Sequence, residues 1–376
     1  MLETAASQSL DTPGVDTSGK VQVQPLLEFA LQGLGQMFYP EKNVFCDRLL
    51  RTPEGMVKAG ISYRYTLMTL MGLFKAELAG LRSPIDIQRT LAALRQDTSW
   101  INNGGDLGLF IWTCAVIAPQ NLEQTITNFD LEKTFNSYSD TRERRTMELS
   151  WFLTGLSYAQ LANRSGGSKF RDLAFKLYER IRVNQGPSGG FGHLPSSGSL
   201  WGVLRGRIGS FADQVYPIYA FSKFAESFEF REALDHATRC AELICNAQGP
   251  LGQWWWHYDS ITGRVTGKHP VYSVHQEAMG PMALFALSEA TGRDFNSYIF
   301  TGLDWIAGEN ELGLDMRDPA SHVIWRCFYQ SKLKTYSNEL LNFAGLPSSL
   351  TGLQVRYECR PYELGWLLYA FAGRQY

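Results

Sequence analysis

The stretch Asn246-Ala-Gln-Gly-Pro-Leu-Gly-Gln-Trp-Trp-Trp-His257-Tyr-Asp-Ser-Ile-Thr-Gly263-Arg-Val-Thr-Gly-Lys-His269-Pro-Val-Tyr272-Ser-Val-His275-Gln-Glu277-Ala-Met-Gly-Pro-Met-Ala-Leu-Phe285-Ala-Leu-Ser-Glu289 decides the fold. An apolar-periodic helix runs into its Gln-Gly-Pro and stops. An aromatic loop follows, and Tyr272 to Glu277 opens a second apolar helix. Trp254, Trp255 and Trp256 can plug the end of a helical core. Consecutive residues of an extended segment point to opposite sides, however, so one contact does not absorb all three. A long loop carrying aromatic faces, histidines and a carboxylate is of the kind that holds function.

The same pattern occurs earlier in the chain. Asn184-Gln-Gly-Pro-Ser-Gly-Gly-Phe191 matches Ala247-Gln-Gly-Pro-Leu-Gly-Gln-Trp254 at an offset of 63 residues. Asp213-Gln-Val-Tyr-Pro-Ile-Tyr-Ala-Phe221 matches Glu277-Ala-Met-Gly-Pro-Met-Ala-Leu-Phe285 at an offset of 64. One unit is therefore an outer helix, a Gln-Gly-Pro-x-Gly turn, an aromatic loop, an acid and an inner helix. Looser echoes are Glu148-Leu-Ser-Trp151, Glu363-Leu-Gly-Trp366 and Asn103-Gly-Gly-Asp106. Apolar periodicity predicts twelve helices: Val23–Phe38, Tyr63–Leu81, Ile85–Leu94, Leu107–Ala118, Thr146–Asn163, Lys169–Asn184, Phe211–Glu226, Arg231–Asn246, Ser273–Thr291, Asn296–Ile306, Leu333–Phe343 and Arg360–Ala372. No strand alternation competes. Hairpins that cannot bury their own apolar faces stand beside neighbours. The expected fold is all-α, a six-hairpin (α/α)6 toroid with a central cavity, spanning 23–376 as one domain behind a disordered lead-in of residues 1–22. Two smaller helical domains split near Ser165–Gly167 are the alternative.

Gln185-x3-Gly189-x-Phe191 and Gln248-x3-Gly252-x-Trp254 resemble the Q-x(2–5)-G-x-W repeat of terpenoid cyclases, and with it the α/α-toroid superfamily that includes protein prenyltransferase β subunits. The resemblance implies that the repeat ties helix ends together and is not catalytic. The chain departs from those families at their reactive motifs. Asp315-Met-Arg-Asp318 is not the Asp-x-Asp-Asp acid of class II cyclases. Neither the zinc-binding Asp, Cys and His set of prenyltransferases nor a Gly-Cys-Gly-Glu-Gln thioester motif occurs.

The chain has 376 residues, 44% hydrophobic and 19% charged, with net charge −2. This composition fits a soluble globular protein and gives no electrostatic basis for binding nucleic acid or anionic lipid. No apolar run is long enough to span a bilayer, and Met1 to Lys20 lacks the basic start and apolar core of a secretion signal. A cytoplasmic location is expected. Six scattered cysteines without a C-x-x-C pair read as reduced, buried thiols. No dense metal-ligand set, phosphate-binding glycine loop or nucleophile elbow appears, so no cofactor or metal is expected.

If the ring closes, the inner-helix starts converge on one mouth, with Tyr63, Arg64, Asp106 and Glu148 among them. The expected catalytic set is His275, Glu277, Asp213 and Tyr272, one carboxyl raised in pKa by its neighbours. Trp254, Trp255, Trp256, His257, Tyr258, Tyr216, Arg360, Tyr362 and Glu363 are the expected substrate-binding residues. Each acid can instead be a first-turn cap worth about 1 kcal/mol. His193 reads as a loop histidine, His236 and His322 as structural or exposed, and Arg205 and Arg207 as an anion site or a solvated loop, with Arg326, after Trp325, and Arg360 raising the same question. Three functions follow. The first is a cyclase-like enzyme on an isoprenoid, with cations held over aromatic faces. The second is a carbohydrate lyase or hydrolase working through paired acids, and the third a non-catalytic toroid that binds a glycan, a lipid or a protein. The oligomeric state is not legible.

Overall fold

A computed structural model describes residues 21–140, 146–163, 170–193, 206–346 and 349–375. Ser165–Gly167 and Arg205 lie outside the described residues, as does most of the expected lead-in. Its last residues are described: Val21 is buried, and its amide donates to Asp304 Oδ1 at 3.2 Å.

Six inner helices form the wall. They are α2 (Tyr63–Leu78), α4 (Gly104–Ile117), α7 (Thr146–Ala162), α9 (Phe211–Phe228), α11 (Gly280–Thr291, led in by a π turn at His275–Met279) and α14 (Pro361–Phe371). Each packs on the next, and α14 returns to α2, so the ring closes. The outer layer is α1 (Val23–Met37), α3 (Ile87–Gln96), α5 (Leu122–Thr127), α6 (Leu131–Asp140), α8 (Arg171–Arg182), α10 (Glu232–Asn246) and α12 (Asn296–Trp305). This is the all-α six-hairpin toroid, with two more helices among the described residues than the periodicity predicts. The extra pair, α5 and α6, divides an outer layer whose apolar stripe is too short to register as one helix.

The inner helices are apolar nearly all round, as elements buried on both faces must be. Two crossings require glycine. A methyl group at Gly72 would run into the Gly365 carbonyl where α2 meets α14, and one at Gly155 into the Gly108 carbonyl where α7 meets α4. The repeat glutamines do the tying that the resemblance implies. Gln185 Nε2 donates to the carbonyls of Gly189 (2.8 Å) and His236 (2.9 Å). Gln248 Nε2 donates to those of Gly252 (3.0 Å) and Tyr298 (2.9 Å). Each glutamine thus binds its turn to the following outer helix, and Gly189 and Gly252 take the positive φ that closes the turn.

Short strands, invisible to an alternation count because each is two to five residues long, decorate the mouth. One sheet joins Ile208–Ser210, His257–Asp259 and Val265–Gly267, and another joins Val271–Tyr272, Cys327–Tyr329 and Gln354–Arg356. α13 (Lys332–Phe343) leaves the ring and lies on the Val265–Gly267 strand. The opposite end of the axis is plugged. The hydroxyls of Tyr158, Tyr219 and Tyr369 form a triangle with sides of 2.7, 2.9 and 2.8 Å, and Trp112 stacks on Tyr158, Tyr219 and Trp366. All six cysteines are buried and free.

Candidate active site

The rim is built by helix capping. Free amides at the starts of α2, α4, α9 and α14 draw in polar side chains. Ser62 Oγ accepts from the Tyr65 amide, Asn103 Oδ1 from Asp106 and Ser210 Oγ from Asp213. The Glu363 carboxylate accepts from the Arg360 amide at 2.9 Å. All these starts point to the end of the ring where two cavities meet.

The inner cavity is a recess of about 180 Å³ walled by Trp151, Tyr216, Trp256, Tyr272, His275 and Tyr362, with Arg64 and Arg326 on its surface. It opens past Met147, Ala212 and Trp256 into an outer groove of about 980 Å³. The groove carries His193, His257, Glu339 and Arg356 and is bounded on one side by α13. The tyrosine triangle blocks the far end of the axis.

Both recess arginines are held in place. Arg64 reaches Asp106 Oδ1 at 2.7 Å through Nε and through Nη2, and lies 5.2 Å from the Trp151 ring centre. Arg326 bridges Glu363 (2.6 Å) and Glu358 (3.2 Å) and sits 5.0 Å from the Tyr272 ring. Burial opposes the Arg326 charge, but Glu363 and its neighbours outweigh it and push the guanidinium pKa upward. Burial raises the phenols of Tyr216, Tyr272 and Tyr362. It lowers His275 to about 3, so the imidazole is neutral at ordinary pH, stacked near Phe211 and Trp256. The Glu148 side chain on α7 packs against Gly105, the residue before Asp106.

The expected site residues divide. Tyr216, Tyr272, His275, Trp256 and Tyr362 line the recess, and His257 lines the groove. Trp254 is buried on Phe211, Trp255 ties its indole N–H to the Ala247 carbonyl at 2.9 Å, and the buried Tyr258 hydroxyl accepts from the Trp255 amide. These three belong to the core. Arg360 reaches the Tyr65 hydroxyl at 2.6 Å, and Glu363 is spent on the Arg360 amide and Arg326. Asp213 completes the capping box of α9. Glu277 is fully buried behind the recess, both carboxyl oxygens without a hydrogen-bond partner among the described residues.

The π turn explains the burial of Glu277. Phe191 is braced by Gln214 (2.7 Å) and Trp254 by Gln276 (3.1 Å), an offset of 62 at the helix start, whereas the downstream prolines align at 64. In the register of the brace, Asp213 corresponds to His275, and Glu277 takes the inward place of Val215. The acid match in the repeat is thus displaced by the turn at His275–Met279.

Two further groups escape a sequence reading. His193 Nδ1 lies 2.9 Å from Asp213 Oδ2, and the ring faces the groove. It stands in the repeat position of Trp256, two residues beyond the motif aromatic, which is the signal that finds it. His257 Nδ1 meets Glu339 at 3.0 Å from α13, a pairing across 82 residues that no local pattern announces. His236 is structural, bonded to Gln185. Arg207 pairs with Asp259 at 2.8 Å, and Asp315 pairs with Arg317. Among the described residues no cluster of three His, Cys, Asp or Glu is placed to hold a metal ion, and no helix is long and apolar enough to cross a membrane.

No protein-family model and no curated protein matches the chain. Solved structures do. A possible member of the GH105 family from Klebsiella pneumoniae superposes with TM-score 0.59 at 10% identity, covering 96% of this chain and 98% of its own. A glycosyl hydrolase of family 88 from Bacteroides vulgatus gives 0.59 at 11%, covering 93% and 98%. The unsaturated glucuronyl hydrolase of Bacillus sp. GL1, responsible for the degradation of glycosaminoglycan, gives 0.55 at 14%, covering 93% and 96%. At these identities the likeness is one of fold, and it is to glycoside hydrolase toroids. The resemblance to terpenoid cyclases reaches the toroid architecture and its helix ties and goes no further.

Proposed function

We propose that the chain is a carbohydrate-active hydrolase that releases a single acidic sugar from the end of a saccharide. The observation that carries this reading is the blind recess with two guanidinium groups among aromatic walls. Aromatic faces stack sugar rings, and arginine pairs with a carboxylate in a fixed fork. At about 180 Å³ the recess is smaller than the 300–1,000 Å³ of sites for larger ligands. It has room for one ring, with the remaining units in the groove, and the plugged axis leaves no passage for a chain. The solved neighbours include enzymes described as unsaturated glucuronyl hydrolases, which supports the same reading.

In this reading Asp106, oriented by Arg64, and Glu148, beside it on α7, are the acid–base pair at the mouth. His193, backed by Asp213, faces the units beyond. The test uses oligosaccharides ending in an unsaturated uronic acid, with saturated and neutral-ended counterparts, followed by ultraviolet absorbance and product mass spectrometry. Turnover of the acidic-ended class is expected, falling about 10²–10⁴-fold in Asp106→Asn and in Glu148→Gln with circular dichroism unchanged. Turnover that survives both substitutions would remove the assignment. A second reading, a glycan-binding toroid without catalysis, is favoured by the capping duties of Asp213 and Glu363. It would show as binding without product.

A further inference from the structure

α13 is inside out. The side chains it turns toward the protein are polar: Asn338 donates to Gln330 and to the Ser349 carbonyl, Glu339 pairs with His257, and Asn342 donates to the Thr266 carbonyl. The side chains it turns to solvent are apolar. Leu333, Tyr336 and Leu340, at helical spacing, are 82%, 69% and 71% exposed, and Phe343 continues the stripe. Among the described residues, sixteen large apolar side chains are exposed, and seven of them lie between 333 and 350. Exposed apolar residues scattered singly need no explanation, but a contiguous face does.

We propose that α13 lies on an anionic lipid surface, with its leucine stripe in the headgroup boundary and the groove held at that level. Charge complementarity favours this occupant. Lys332 and Lys334 stand at one end of the helix, and Arg264 lies beside Gly345 at the other. The single acid of α13, Glu339, is turned inward to His257. The outward face therefore presents leucine and aromatic residues within a basic rim, the composition of helices that lie in a membrane interface rather than span it. Size argues against a second copy. Twelve residues make a helix about 18 Å long, and a stripe about 10 Å wide covers roughly 200 Å², a quarter of the ~800 Å² per partner of a stable dimer. The overall charge of −2 gave no reason to expect lipid binding, because this basic rim is local and is balanced elsewhere in the chain. The inference stands apart from the hydrolase reading, but the two join in space. Tyr336, Glu339 and Phe343 also line the groove, so a glycan carried on a lipid would meet the groove at the headgroup.

The full chain is sedimented with vesicles of phosphatidylglycerol and phosphatidylcholine, and with phosphatidylcholine alone. Binding to the mixed vesicles is expected, weakened by salt and by the absence of the anionic lipid. In Leu333→Asp/Leu340→Asp the affinity drops by about tenfold or more for each leucine. Both side chains are exposed, so the melting temperature stays, and Tyr336→Ser serves as an independent, milder variant. Three results overturn the proposal: no binding of the wild type to either vesicle, equal binding by the wild type and both variants, or a wild-type dimer in light scattering that the same substitutions split. Vesicle binding with no turnover of any saccharide would sink the hydrolase reading and leave this one standing.

Discussion

Replacing Glu277 with glutamine tests whether this carboxyl is a buried neutral group or part of the working site. It is fully buried and lacks a hydrogen-bond partner among the described residues. Burial raises its pKa well above the ordinary 4.5, and the Glu363 carboxylate adds to the shift. The folded state therefore holds a proton that the unfolded state gives up above about pH 4.5. Stability from this group is fully present below that pH and is lost as pH rises toward the folded pKa. The loss is about 1.4 kcal/mol for each pH unit within that window. Between pH 5 and 7 the wild type should thus lose stability that Glu277→Gln does not lose. Urea unfolding followed by tryptophan fluorescence at pH 5, 6 and 7 measures both slopes. The glutamine variant should be flatter, more stable relative to the wild type at pH 7 than at pH 5, and near wild type in turnover. Parallel slopes would refute the burial argument, and a collapse of turnover with an unchanged fold would return Glu277 to the site.

Two other outcomes follow from the ring. Gly72→Ala drives a methyl group into the Gly365 carbonyl at the closing contact between α2 and α14. It should cost about 3 kcal/mol or more, read as a fall in the urea midpoint, whereas Gly80→Ala, with open space around it but a positive φ, should cost less. Gln248→Ala strands the Gly252 and Tyr298 carbonyls that its amide now serves. A loss of about 1–3 kcal/mol is expected, with Gln185→Ala similar and turnover of either variant preserved under stabilising conditions.

The fold was legible because its signals are local and repeated. The Gln-Gly-Pro turns recur 63 residues apart, and their glutamines make equivalent pairs of bonds, so a single motif reports the hairpin geometry. The recess was legible in part. Tyr216, His275 and Tyr362 follow from the rule that inner-helix starts meet at one rim, and Trp256 and Tyr272 from the aromatic loop before one of them. The tryptophan run misleads for a physical reason. Trp254 packs inward on Phe211, Trp255 ties back to Ala247, and only Trp256 reaches the cavity. Alternation does not separate Trp254 from Trp256; what stands opposite each does, Phe211 for one and His275 for the other, and the sequence does not show these partners. Glu277 misleads because a π turn shifts register without leaving a compositional trace. Arg326 is legible as a candidate anion site, but its place on the recess wall and the His257–Glu339 pair were out of reach because segments distant in sequence place them across the mouth.

Capping and chemistry compete for the same carboxylates at the rim, and this competition ranks the acids. An acid in the first turn of an inner helix is explained by the helix alone when its oxygens serve backbone amides. Asp213 spends Oδ2 on the Ser210 amide and hydroxyl, and Glu363 spends one oxygen on the Arg360 amide and the other on Arg326. Removing either would loosen a helix start whatever the site does, so a loss of activity there identifies nothing. At α4 the division of labour differs. Asn103 takes the cap, accepting from the Asp106 amide at 2.9 Å, and both Arg64 donors converge on the Asp106 carboxylate at 2.7 Å. The helix does not need that carboxylate, and its cationic partner stands on the wall of the recess. Asp106→Asn therefore separates function from folding most cleanly. The helix keeps its cap, the amide keeps an oxygen for Arg64, and what disappears is the charge at the mouth. Unchanged stability with lost turnover would place Asp106 in the reaction, and unchanged turnover would leave it a clamp for Arg64.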